Sequence, residues 1–179
     1  MKTSIRIPIP LQLSLESTLW MAFSWMSSFF IHALPSWDDS PIGGHFIPLF
    51  YTPLLIVLLR RNNKVVILSM LIPWINYILL GLPHIEKVVL LELELACFFF
   101  FAEILKAKSL SFQFVGPIAY TASLITVGIL GSMISYADIN ILFSIHHVFP
   151  AIMNAGIGIG ILFFIGFFIE SSSKESSKN

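Results

Sequence analysis

The stretch VVLLELELACFFFFAEIL, residues 88–105, has the length and apolar content of a lipid-crossing helix, yet it carries Glu92, Glu94 and Glu103. Whether it is a membrane segment decides the fold, because a carboxylate is costly to place only where water is excluded. Composition answers first. The 179 residues are 56% hydrophobic and 11% charged, with a mean hydropathy of +0.88. That balance is too apolar for a soluble domain and points to an integral membrane protein.

A crossing takes about 20 mainly apolar residues, since each adds ~1.5 Å toward the ~30 Å of hydrocarbon. Six segments meet or approach that length, near residues 17–34, 46–60, 65–82, 86–105, 112–135 and 141–169. The predicted fold class is therefore all-α: a polytopic integral membrane protein of six transmembrane helices. Residues 1–169 form one transmembrane domain, and the polar tail from residue 170 to 179 is disordered and cytoplasmic. Pro48 and Pro53 predict a tilted or broken helix at 46–60. The first segment reads as a retained helix, for its apolar core exceeds that of a cleaved leader and no small-x-small site precedes Asp38.

Lys and Arg are retained on the cytoplasmic side. With the N-terminus inside, Lys2, Arg6, Arg60, Arg61, Lys64, Lys106, Lys108, Lys174 and Lys178 all fall there, while Asp38, Asp39, Glu86, Asp138 and only Lys87 fall outside. Both termini are thus expected in the cytoplasm. A net charge of zero and the lack of a basic, aromatic-laced patch exclude nucleic acid as a partner. Cys97 is the single cysteine, so no internal disulfide forms.

This orientation gathers polar residues on the outer half. His32, His45, His84, His146 and His147 all lie at outer helix ends, and Trp74, Asn76 and Tyr77 lie in the outer half of the 65–82 segment. Pro73, Asn76, Tyr77 and Leu80 share one face by their spacing, as do His147, Ala151, Asn154 and Gly158. Such stripes should face a protein interior or a wet cavity. In the opening stretch, Glu92, Ala96, Phe99 and Glu103 occupy one face, and Glu94, Cys97, Phe98 and Phe101 nearly the opposite one. Either the helix is enclosed on two sides, or one glutamate is hydrogen-bonded at a helix contact. Glu103, one turn from Lys106, reads as an interfacial i,i+3 pair.

These residues suggest an outward-facing site for a small molecule, built from Glu92, Glu94, Asn76, Tyr77, Trp74, His147, Asn154 and His45. The loop PSWDDSPIGG, beginning at Pro35, is either its lid or a plain connector. Catalysis is not expected: Cys97 has no histidine at helical spacing, and no nucleophile-and-base pair or phosphate-cradling loop is present. Metal binding and cofactors are not expected either, since the histidines follow no ligand pattern and adjacent His146 and His147 diverge by about 100°. Gly156-x-x-x-Gly160, Gly128-x-x-x-Ser132 and Ser24-x-x-x-Ser28 read as close-packing faces.

Six helices in about 180 residues, cytoplasmic termini, the loop sequence SPIGGHFIPLF (40–50) and polar residues on the outer half together resemble the S-components of energy-coupling factor (ECF) transporters. The resemblance covers residues 17–169 and lies in architecture more than motif; Ser24-x-x-x-Ser28 stands where members commonly carry Ala-x-x-x-Ala. It implies a multi-pass subunit of the bacterial cytoplasmic (inner) membrane that binds a vitamin or related micronutrient from outside. Its implied partners are an ECF transmembrane scaffold and ATPase subunits. It also offers a sharper variant, a solitary cobalamin-binding member using Cys97. Two other classes stay open: a stand-alone proton-coupled carrier for small solutes, and a non-transport membrane scaffold.

Overall fold

The computed structural model describes residues 19, 22–23, 25–26, 36–37, 40–59, 70–81, 85–135 and 151–176. The described chain is helical, apart from two-residue strands β1 (Ser36–Trp37) and β2 (Ser40–Pro41), which pair antiparallel within the 35–45 loop. A 3-10 helix, Ile42–Tyr51, follows directly and passes into α1, Thr52–Leu59. The prolines explain this join. Pro48 has no N–H to give to a helical ladder, whereas Pro53 falls in the first turn of α1, where the missing donor costs no bond.

Next come α2 (Ile72–Leu80), α3 (Ile85–Ala107), α4 (Phe112–Ser135) and α5 (Gly156–Ser176). Gly81 ends α2 in the left-handed region, φ 68°, and its N–H donates to Tyr77 O at 2.9 Å. α3 closes in the same manner without a glycine: Ser109 takes φ 57° and donates to Lys106 O, while Leu110 N–H donates to Leu105 O. That pair of bonds satisfies carbonyls left over at the helix end. α4 over Phe112–Leu130 and α5 over Gly156–Lys174 are long and apolar enough to cross a membrane.

α3 packs on α4, α4 on α5, and α5 on the 3-10 helix; α1 fits against both α3 and α5, and α2 lies on α3. α1 is consequently buried over most of its length, with Leu54, Leu55, Leu58 and Leu59 in the core beside Phe98, Val115, Ala119 and Leu162 and Ile56 half-buried. An all-round apolar helix such as TPLLIVLL requires that position.

One face of α5 makes the closest approaches. Gly158, Leu162, Gly166 and Glu170 recur every four residues and so form a single stripe. A Cβ at Gly158 would meet the Pro48 ring at 2.5 Å, and one at Gly166 would collide with the Phe112 backbone. Leu162, fully buried, fills the space opened by Gly116, whose added Cβ would meet Leu55 at 2.6 Å and Leu162 at 3.2 Å. Gly156 and Gly160, expected to form the packing face, meet nothing within 4 Å among the described residues. They stand about 200° around the helix from Gly158.

Charged side chains hold the other ends. Lys106 Nζ donates to Leu58 O at 2.6 Å, placing a cation at the C-terminus of α1. Glu170 Oε2 accepts from Ser111 Oγ and from Phe112 N–H at 3.0 Å, placing a carboxylate at the N-terminus of α4. Lys106 therefore serves a neighbouring helix rather than the expected Glu103. α5 also runs on to Ser176, past residue 169 where the sequence reading ended it, with Lys174 bonded back to Glu170 at 2.8 Å.

Gly158→Ala is expected to lower stability by about 1–3 kcal/mol, because a rigid proline ring must move. Gly160→Ala should be neutral or slightly stabilising, alanine being the better helix former. Thermal midpoints measured in one detergent check this; equal losses at both positions would refute the Pro48–Gly158 contact.

Candidate functional site

The core seam of α3 is Val88, Leu95, Phe98 and Ala102, all at 2% exposure or less. Their spacing of seven, three and four traces one helical face. Glu94 lies beside that seam, one turn before Phe98, so it enters the interior rather than the outer surface formed by Ile85, Val89 and Phe100. An interior carboxyl needs a donor from another element. Tyr51, at the end of the 3-10 helix and fully buried, supplies it: its hydroxyl donates to Glu94 Oε2 at 2.7 Å.

The same tyrosine centres an aromatic cluster. Its ring lies 5.1 Å from Phe98 and 5.0 Å from Tyr120 of α4, the latter edge-on, with Phe50 at 5.9 Å. Tyr120 and the half-buried Cys97 are both within electrostatic reach of Glu94. Three elements thus converge on one carboxyl. Chemically, the arrangement offers a hydrogen-bonding acid, two phenols and a thiol inside an otherwise hydrocarbon wall.

Of the other residues expected here, Asn76 is buried at 5% exposure, and Trp74 and Tyr77 are half-buried on α2, which packs on α3. The Pro73–Asn76 face turns inward while Ile78 and Leu79 turn out, as the stripe on this segment requires. Glu92 is half-buried, and its Oε2 is closed to solvent with no hydrogen-bond partner among the described residues. Asn154 is exposed, as is Ala151, whereas Gly158 is buried on Pro48. That stripe is split between exposed and buried positions. His45 lies on the 3-10 helix. His147 falls outside the described residues, together with His32, His84 and His146. No cluster of three or more His, Cys, Asp or Glu able to hold a metal occurs among the described residues.

Tyr51 and Tyr120 were not among the residues singled out from sequence. A signal existed: a hydroxyl within PLFYTPLLIVLL (48–59) or VGPIAYTASL (115–124) has no local polar partner and must find one across the fold.

No family model matches the chain, and neither a curated protein nor a solved structure matches it.

Tyr51→Phe leaves the half-buried Glu94 without its donor and should cost up to about 1–3 kcal/mol, the penalty of an unsatisfied polar group. Glu94→Gln keeps an acceptor oxygen and should cost less. The double variant Tyr51→Phe with Glu94→Leu should recover most of the loss, because both polar partners are then absent. Unfolding equilibria in mixed detergent measure these and the single variant Glu94→Leu, and a double-variant loss equal to the sum of the Tyr51→Phe and Glu94→Leu losses would remove the bond from the account.

Proposed function

We propose that this chain is a six-helix membrane subunit, both termini cytoplasmic, that captures a small vitamin-like solute on the outer side of a bacterial inner membrane. It does so without catalysing a reaction. The observation that carries the reading is the Glu94 carboxyl held by one tyrosine hydroxyl inside an aromatic wall. A carboxyl contributes nothing to such a core that leucine would not contribute more cheaply, and intramembrane ionisable groups are for that reason read as functional sites.

Glu94 provides the directional acceptor in this scheme. Tyr51 keeps it satisfied while the site is empty and can be exchanged for a ligand donor, so the site opens without stranding a charge. Buried Asn76, on the helix α2 that packs against α3, adds a polar contact, whereas Glu92 projects from the face of α3 nearly opposite Glu94 and stands outside this site. Trp74 and Tyr77 supply apolar area. Delivery across the membrane falls to a scaffold and ATPase partner of the ECF kind. A second reading, a proton-coupled carrier acting alone, draws on the same carboxyl–phenol pair, since intramembrane acids serve as proton relays. Uptake that collapses with the pH gradient and ignores ATP would select it.

Purified full-length protein is expected to carry a co-eluting small molecule identifiable by mass spectrometry. Glu94→Gln and Asn76→Ala should each weaken its binding about tenfold or more, with Glu103→Gln leaving it unchanged. Unaltered binding in both site variants would end the proposal. Reporter fusions at both termini should be active only on the cytoplasmic side.

A further inference from the structure

A cavity of about 510 Å³ opens at the far end of the bundle from α2, where α1, α3 and α5 finish and α4 begins. Its walls include Glu103, Lys106, Ser109, Ser111, Phe112 and Glu170. Its volume lies within the ~300–1,000 Å³ range of small-molecule sites. Two of its charges are already committed. Lys106 donates to Leu58 O, and Glu170 accepts from Ser111, Phe112 and Lys174. Glu103 has no such engagement: Oε1 is closed to solvent and has no hydrogen-bond partner among the described residues. A carboxyl oxygen in that condition carries a desolvation cost that nothing among the described residues offsets.

We infer that this cavity receives a primary ammonium group, with Glu103 as its acceptor. The ammonium is presented either by the headgroup of an aminophospholipid or by a small soluble amine. Several features select that chemistry. The missing element is a donor, and a primary ammonium brings three N–H groups where a quaternary ammonium brings none. A bare metal ion would leave most of the cavity empty, and the described residues hold no metal-binding cluster. The terminal torsion of a glutamate is broad, so the carboxylate can swing part of a turn and bring Oε1 to the cavity, a movement that binding of the ammonium has to drive. Lys106, one of whose three donors goes to Leu58 O, stands one turn along the same helix and complements an anionic group on the same ligand. Leu59, Leu110 and Phe112 give the apolar side against which a chain or ring can lie. The inference is independent of the proposed function, since Glu94 lies roughly 13 Å away along α3 at ~1.5 Å per residue.

The test uses full-length protein in nanodiscs of equimolar phosphatidylethanolamine and phosphatidylcholine with identical acyl chains, read by native mass spectrometry. Retention of the ethanolamine lipid at least about fivefold over the choline lipid, abolished in Glu103→Gln, supports a headgroup ligand. Absence of lipid preference, together with ethanolamine adducts on wild-type protein and not on Glu103→Gln, supports a soluble amine. Equal lipid retention with no ethanolamine adduct on the wild type overturns the inference and requires no variant. A preference unaltered in Glu103→Gln overturns it as well.

Discussion

The Tyr51 hydroxyl and the Glu94 carboxyl meet 2.7 Å apart at the point where the 3-10 helix, α3 and α4 converge. Everything near them follows from the need to satisfy a carboxyl where hydrocarbon surrounds it. The net value of such a bond is modest, yet leaving either partner alone is expensive. That asymmetry favours the rotation of α3 that keeps Glu94 on the side of Tyr51. Phe98 and Tyr120 then close around the Tyr51 ring and shield the tyrosine side of the bond.

In the proposed membrane setting, apolar side chains gain little by leaving one hydrocarbon environment for another, so association depends on close contact and on polar bonds. Both devices occur here and are kept apart. Close contact runs along α5, where Gly158 and Gly166 admit a proline ring and a stretch of backbone. Polar bonds sit at helix ends, with Lys106 on the α1 carbonyls and Glu170 on the α4 amides. Each of these charges also opposes the helix dipole at its end. Glu94 departs from this division by bringing a polar bond into the middle.

Composition alone placed the chain among helical proteins, and the prolines at 48 and 53 placed the break in the 46–60 segment. Those features act locally, through a missing donor or an excess of apolar side chains, and local causes can be read from sequence. Failures came where a partner had to be chosen. Gly156-x-x-x-Gly160 matches a packing spacing, but spacing does not say which side of α5 has a neighbour, and among the described residues the close contacts fall at Gly158 and Gly166. Lys106 stood one turn from Glu103, yet its long stem reached the end of α1. Glu94 was recognised while Tyr51, 43 positions away, was not. Asn154 shared a face with Gly158 on paper, and the described helix leaves it exposed.

The glutamates of α3 show what the fold adds to the sequence. Glu94 and Glu103 are nine residues apart, which at 100° per residue sets them about 180° from one another around the helix. Their axial separation is roughly 13 Å. No single small ligand can bridge positions so related without crossing the helix itself. Glu94 has a phenol donor from within the chain, whereas Glu103 borders a cavity with no donor assigned to its Oε1. The two carboxyls are therefore distinct chemical problems solved on opposite sides of one helix. A substitution at either should leave the other's surroundings intact, because α3 between them is a continuous helix from Ile85 to Ala107.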